Sequence, residues 1–227
     1  MASEENSNDS KRNKIIGLLY IVFICFSVIS IKVSLLDSNL YSIQSFEGLY
    51  EEESKKVTIS ENVILDNLEI LSSIPKASNY LEISSRIQES IQVVSNIIDS
   101  LNLELDQKNT SIVKQFNNRS STEKILKKES YIPTLSKDLF ELKAYVFSFE
   151  HKLDSLQDPL FSNIPLQKTI KTIKGKETEW EEYLFYKKPT AISYMQLVRI
   201  KLLLAKSKLL YNEAALKEIN YSATYFS

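Results

Sequence analysis

A stripe of polar and aromatic side chains near the start of this 227-residue sequence has the residue types and spacing to bind another helix. On a helix that turns about 100° per residue, the stripe falls within an arc of roughly 80°, and an arginine projects onto the same arc. Its members are Arg12, Tyr20, Phe23, Ser27, Ser30 and Ser34. Small and hydroxyl-bearing side chains let helices approach closely and hydrogen-bond across the contact. We therefore predict a partner-binding face, with serines that bond only to their own i−4 carbonyls as the alternative.

The segment that carries this stripe is predicted to be a transmembrane helix over residues 15–36. Residues 15–31 read IIGLLYIVFICFSVISI without a charge. A membrane crossing needs roughly 20 residues for about 30 Å of hydrocarbon, a length that the run reaches if the Lys32 side chain extends to the interface. A cleaved signal peptide is the competing interpretation, but the run is long for one and no small-residue cleavage site follows it.

Charges around the span predict its orientation. Lys11, Arg12 and Lys14 precede it, whereas acidic residues predominate after it. Because lysine and arginine accumulate on the cytoplasmic side, we expect residues 1–14 to be a cytoplasmic tail. Residues 37–227 would then form the extracytoplasmic domain of a single-pass protein.

The composition of that domain favours a few long helices. The sequence has only 3 Gly and 5 Pro, too few turn-forming residues for a sandwich or barrel of short strands. A net charge of −1 and the lack of a basic stripe argue against a nucleic-acid partner. The only cysteine, Cys25, lies within the predicted span, so no intramolecular disulfide can form.

Helical periodicity recurs along residues 37–227 and predicts an all-α fold. Apolar residues step by three or four along three long segments, Tyr80–Leu105, Leu135–Leu156 and Met195–Leu216. We expect the first helix to continue past residue 36 as a stalk, followed by a short separate segment around Ile59–Leu71. Short connections make neighbouring helices antiparallel, so we predict a single N-terminal transmembrane helix followed by an antiparallel helical bundle. An extended coiled coil is the alternative, and the proline breaks argue against it.

The connections between these helices are predicted to be irregular. Residues 117–130 are polar and are expected to form a loop, and Asp158-Pro159 is expected to close the helix before it. The stretch KTIKTIKGK, which ends at Lys176, is expected to be a solvated basic loop, with a binding role as the alternative.

Little in the sequence supports catalysis. His151, the only histidine, lies between the expected core positions Phe149 and Leu153 and should face solvent, so no zinc site can be built around it. The few glycines cannot form a phosphate-binding loop, and no serine is flanked as in a nucleophile elbow. We therefore expect no catalytic, cofactor-binding or metal-binding residue, no small-molecule substrate and no enzyme activity.

Two stretches resemble the gliding-motility and type 9 secretion motor protein GldM (PorM) family of Bacteroidetes. The stretch KRNKIIGLLYIVFICF, from Lys11, resembles the family's N-terminal membrane segment. The stretch WEEYLFYKKPTAISYMQLVRIKLLLAKSKLLYNE, from Trp180, is similar to the closing helices of its first periplasmic domain. The resemblance implies a non-enzymatic component of the bacterial inner membrane, with a cytoplasmic N-terminus and a periplasmic bulk.

The resemblance also implies partners for the predicted stripe. In that family, two copies of the single-span protein sit inside a ring of multi-span GldL-type subunits, and proton flow turns one against the other. Arg12 and Tyr20 match by position the family's polar membrane residues that face the partner's essential carboxylate. A GldL-like subunit and a second copy of this chain are thus the implied partners. Extension of the Arg12 side chain to the membrane interface is the alternative role.

The sequence departs from the family in its last helix and in its length. Lys201, Leu202, Leu203 and Lys208 stand where the family commonly has a Gln-Asn-Asp sequence and a later Glu, so we expect that surface to bind partners differently. The family continues into β-rich domains, which makes a short paralogue or half of a split gene the expectation here. A membrane-anchored helical scaffold or envelope assembly factor and a helical sensor ectodomain are the alternative classes.

Overall fold

The computed structural model describes the backbone of residues 2–67, 74–107, 126, 130–149, 153, 157–173, 175–186 and 188–225. Side chains within these ranges are described except at 2–18, 25–37, 106–107 and 223–225. The chain divides into two compact units, Met1–Tyr41 and Ser42–Ser227. The elements in chain order are α1 (Ala2–Leu65), α2 (Pro75–Gln107), α3 (Tyr131–Ser148), α4 (Pro159–Asn163), β1 (Thr169–Lys171), β2 (Glu177–Glu179), α5 (Trp180–Leu184) and α6 (Thr190–Tyr225).

The first helix, α1, runs without interruption from Ala2 to Leu65. Its continuation past residue 36 is therefore confirmed, but the separate segment expected around Ile59–Leu71 is wrong. Residues 49–65 contain neither glycine nor proline, so nothing in the sequence breaks the helix there. Residues 68–73, the end of that expected segment, lie outside the described residues.

The predicted transmembrane span is only partly described. Among the side chains that the structure describes, no helix combines the length and the apolarity that a membrane crossing requires. Residues 15–18 and 25–36 of the predicted span lie outside those side chains. The division into a tail (1–14), a span (15–36) and an outer domain (37–227) therefore stays a prediction.

The second helix, α2, follows its predicted pattern fully. Every position of the apolar stripe is buried, with exposures of at most 8%: Tyr80, Ile83, Ile87, Ile91, Val94, Ile98, Leu101 and Leu105. This face packs mainly against α6 and also against α3. The two helices α2 and α6 are antiparallel, because Lys76 pairs with Glu218 at one end while Asn102 donates to the Tyr194 hydroxyl at the other.

The last helix, α6, is the central helix of the domain. Val198, Leu202 and Ala205 of the predicted stripe are buried, whereas Met195, Leu209 and Leu216 are only half-buried. Further residues are buried on other faces of α6, namely Leu197, Ile200, Leu204, Tyr211 and Ala215. A helix that contacts neighbours on several sides needs apolar residues all round, so a single stripe describes it poorly.

Helices α2 and α3, which follow one another in the sequence, are antiparallel, as predicted for a bundle. Tyr145 of α3 donates a hydrogen bond to Glu82 of α2, and Asp138 lies near Glu89. In contrast, the segment of α1 after residue 42 runs parallel to α6. Tyr194 donates to Glu47 near one end of α6, and Asn212 donates to Ser60 further along both helices.

The third helix ends earlier than predicted. α3 stops at Ser148, and Phe149 is extended with φ −77° and ψ 137°, so the expected continuation to Leu156 and closure at Asp158-Pro159 is wrong. Asp158 instead begins α4, because its side chain accepts hydrogen bonds from the Leu160 and Phe161 amides. An acidic N-cap followed by proline is typical of a helix start. His151 lies outside the described residues.

The connection before α5 is a two-stranded antiparallel hairpin, which corrects the expected irregular loop. Thr169 pairs with Glu179 and Lys171 with Glu177. Ile170 is buried while its neighbours Thr169 and Lys171 are exposed, which is the alternation of a strand. Gly175 completes the turn with φ 76°, a conformation that favours glycine.

Candidate interaction sites

Only two members of the predicted partner-binding stripe have described side chains. Tyr20 is 68% exposed and Phe23 is 69% exposed. The side chains of Arg12, Ser27, Ser30 and Ser34 lie outside the described residues, so the stripe as a whole stays a prediction.

The surface around Tyr20 and Phe23 is apolar on every side of α1. Six consecutive side chains are between 40% and 69% exposed: Leu19, Tyr20, Ile21, Val22, Phe23 and Ile24. Because successive helical residues differ by about 100°, six of them cover the full circumference. Exposed apolar surface of this kind marks a contact with a membrane or with another protein. The segment 19–24 is therefore the first candidate interaction site.

A polar layer, buried at its centre and open to solvent at Glu61 and Gln88, joins α1, α2 and α6 in the second unit. It consists of Ser60, Glu61, Ser84, Gln88, Lys208 and Asn212. Asn212, at its centre, is 1% exposed, donates from Nδ2 to Ser60 Oγ at 2.9 Å and accepts at Oδ1 from Ser84 Oγ at 2.5 Å. Ser60 Oγ in turn donates to the Val57 carbonyl at 2.7 Å. Each of these buried polar groups is thus paired, as burial requires.

Lys208 supplies the charge in this layer. Its side chain is 5% exposed, and Nζ lies 2.6 Å from Glu61 Oε1 and 2.6 Å from Gln88 Oε1. A buried ammonium group is tolerated only when it is paired and hydrogen-bonded, and both conditions hold here. Two openings, of about 250 Å³ and 370 Å³, reach the layer from either side of Lys208.

The residues that depart from the GldM pattern are engaged within the chain. Lys201 Nζ lies 4.3 Å from the centroid of the Tyr50 ring, a cation–π contact between α6 and α1. Burial lowers the pKa of the Lys201 ammonium, although Asp99 and Glu47 act in the opposite direction. Leu202 and Leu203 are buried. Together with Lys208, these side chains stabilise the domain itself, which the sequence reading had not anticipated.

A second buried cluster is centred on Asp158. The carboxylate is 1% exposed, and its Oδ1 accepts from the Leu160 amide at 2.8 Å and from Ser207 Oγ at 2.7 Å. Its Oδ2 has no hydrogen-bond partner, and burial raises the pKa of Asp158. Burial also raises the pKa of the nearby Tyr211 hydroxyl, helped by the charge of Asp158. Because Asp158 and Ser207 are inaccessible to solvent, the cluster fixes α4 on α6 and cannot meet a substrate.

A pocket of about 580 Å³ lies between α3 and the hairpin. Its walls include Phe140, Leu166 and the fully buried Trp180, and its rim carries Lys137, Lys168, Glu179 and Glu181. The two lysines and two glutamates balance in charge, so the rim favours neither an anion nor a cation. In the part of the chain that the structure describes, no three His, Cys, Asp or Glu side chains come together as a metal site would require.

Sequence reasoning missed the polar layer, although it leaves a signal. Lys208 and Asn212 are one helical turn apart, and so are Ser84 and Gln88, each pair set among apolar residues of its helix. Such paired interruptions of an apolar stripe indicate a buried polar contact between helices.

The described residues define a mostly helical protein that combines a folded domain with an exposed apolar helical segment. No protein-family model matches the sequence, and a search of the curated proteins finds no match.

Proposed function

We propose that this protein is a non-enzymatic, single-pass component of a proton-driven gliding-motility or type 9 secretion motor in the bacterial inner membrane. The observation that carries the membrane part of the proposal is the exposed apolar surface on all sides of α1 at residues 19–24. Hydrocarbon is the environment in which such a surface is stable, and the uncharged run of residues 15–31 extends it in both directions.

The orientation in this proposal places the N-terminus in the cytoplasm and the helical domain in the periplasm. It rests on Lys11, Arg12 and Lys14 before the apolar run. A periplasmic reporter enzyme fused after Ser227 should be active in whole cells, and a cytoplasmic reporter at the same position should be inactive. The reverse pattern would exclude this orientation.

The motor part of the proposal gives the N-terminal stripe a partner. A GldL-like multi-span subunit would supply a carboxylate to Arg12 and contact Tyr20, while a second copy of the chain would lie alongside. An arginine near hydrocarbon is costly unless an acidic partner or the interface compensates its charge. Tyr20 and Phe23 are exposed and available for such a contact.

Co-purification of the full chain in mild detergent tests this contact. Arg12→Ala should strongly reduce recovery of a multi-span membrane partner while leaving membrane insertion intact, because the partner's carboxylate would lose its counter-charge. Ile29→Ala, on the opposite face of the predicted helix, is the matched control and should leave recovery unchanged. Equal and negligible effects of both substitutions would favour the second candidate, a membrane-anchored helical scaffold.

A further inference from the structure

The apolar face that α1 presents to the bundle repeats every seven residues. Ile43, Val57 and Ile64 on this face are buried, and Tyr50 is half-buried. A displacement of α1 along its axis by two turns would therefore place one apolar residue of the face where another had been. The apolar contacts by themselves fix the position of α1 weakly.

The polar layer discriminates between these positions far more strongly. If α1 advanced by two turns, Lys208 would face Ser54 in place of Glu61, and Asn212 would face Glu53 in place of Ser60. If α1 retreated by two turns, the helix would end short of both side chains, because α1 ends at Leu65. Either displacement takes Glu61 away from Lys208, whose side chain is only 5% exposed, and the loss of this counter-ion is unfavourable.

Movements of one or two turns are the relevant alternatives because packed helices interdigitate. Helices shift past one another in discrete steps of about one turn, roughly 5.4 Å, and not continuously. A single buried polar contact is known to select one register among several that apolar packing permits. The layer has four hydrogen bonds or ion pairs that connect α1, α2 and α6.

We propose that the polar layer is a register lock, which holds α1 at one position along α2 and α6 among those that its seven-residue apolar repeat permits. Glu61 and Ser60 are the members of the lock on α1, and Lys208 and Asn212 are their partners on α6. The inference concerns residues 42–225 alone, and it holds whether or not the protein belongs to a motor.

Moving the lock along α1 provides the sharpest test. In the full chain carrying Cys25→Ser, the substitutions Glu53→Ser and Ser54→Glu transplant residues 60 and 61 by two turns toward the N-terminus, and Ser60→Ala and Glu61→Ala remove the pair from its original position. Spin labels at the exposed positions Ser45 and Glu213 then report the position of α1 relative to α6, by double electron–electron resonance in detergent.

The transplanted chain should show a mean label distance shorter by about 10 Å, because α1 must advance by two turns to restore the contacts of Lys208 and Asn212. The matched control Val63→Ala, at an exposed position of α1, should leave the distance unchanged. An unchanged distance in a transplanted chain that retains its helical circular-dichroism spectrum would overturn the proposal.

A second variant keeps the proposal testable if the transplanted chain fails to fold. Replacing the lock by apolar residues (Glu61→Leu, Lys208→Met and Asn212→Leu) should preserve the fold, since well-packed apolar groups replace buried ion pairs without loss of stability. The label distance should then split into two populations separated by one or two turns. A single population at the original distance would show that the lock is not what fixes the register.

Discussion

Ser207, on the central helix α6, donates a hydrogen bond of 2.7 Å to Oδ1 of Asp158, which is the N-cap of α4. The same carboxylate oxygen accepts from the Leu160 amide, whereas Oδ2 is buried without a partner. One oxygen of Asp158 thus caps α4 and ties it to α6, and the other lies buried beside the Tyr211 hydroxyl.

Asp158→Ala and Asp158→Asn should therefore differ in stability. The alanine variant loses the helix cap, leaves the Ser207 hydroxyl without its acceptor and leaves the Leu160 amide with Ser207 Oγ alone, at a cost of about 2 to 3 kcal/mol. The asparagine variant retains the acceptor oxygen and replaces Oδ2 by an NH2 group that can donate to the Tyr211 hydroxyl, so it should be at least as stable as the original chain. Urea denaturation of both variants measures the difference; equal destabilisation would contradict this account.

The stability difference between the original chain and Asp158→Asn should depend on pH. Burial raises the pKa of Asp158 above its ordinary value of 3.8, so the folded state binds more protons than the unfolded state between the ordinary and the raised pKa. The free energy of unfolding should then fall as pH rises through this window, and the loss is complete above the raised pKa. The asparagine variant has no titrating group at this position. Its free energy of unfolding, relative to that of the original chain, should therefore rise from about pH 4 upward. A difference that does not change with pH would show that folding leaves the pKa of Asp158 unchanged.

Lys208 should be replaceable by methionine but not by alanine. Lys208→Ala removes the buried stem and opens a cavity, for a loss of about 2 to 3 kcal/mol in the free energy of unfolding. Lys208→Met fills the same volume, and Glu61, with a side chain that is 44% exposed, can return to water. The methionine variant should therefore be within about 1 kcal/mol of the original chain. Thermal denaturation of both variants checks this, and a large loss for methionine would mean that the ion pair itself is stabilising.

The two described glycines should respond oppositely to alanine. A Cβ at Gly48 or at Gly175 would meet no atom within 4 Å, so only the backbone conformation matters. Gly48 is helical, and Gly48→Ala should stabilise the domain by up to about 1 kcal/mol. Gly175 has φ 76°, and Gly175→Ala should cost about 1 to 2 kcal/mol. Midpoints of thermal unfolding that move in the same direction for both variants would contradict this reasoning.

The sequence predicted those features of the fold that depend on local pattern. Every predicted core position of α2 is buried because this stripe packs against the bundle, although Ala77 and Ile97, outside the predicted stripe, are buried as well. The end of α3 and the start of α4 were mistaken because Asp158 and Pro159 fit a helix end and a helix start about equally well before the hydrogen bonds are known. The hairpin was missed because its strands have three residues each, too few for alternation to stand out.

The sequence predicted less of the interaction sites than of the fold. The exposed apolar segment around Tyr20 follows directly from composition. The polar layer does not, because its hydrogen bonds join residues 128 and 152 positions apart, Ser84 with Asn212 and Ser60 with Asn212. The pattern within one helix shows where polar residues interrupt an apolar face. The partner of each polar residue depends on how helices that are distant in the sequence pack together.

The parallel course of α1 and α6 determines how the domain would bear mechanical load. The residue-42 end of the α1 segment lies beside the beginning of α6, as the contact between Glu47 and Tyr194 shows. A force that pulls α1 at this end against the far end of α6 therefore acts along the interface in shear. The contacts of Tyr50, Ser60 and Glu61 with α6 would resist together, whereas a pull on the near end of α6 would separate them one after another.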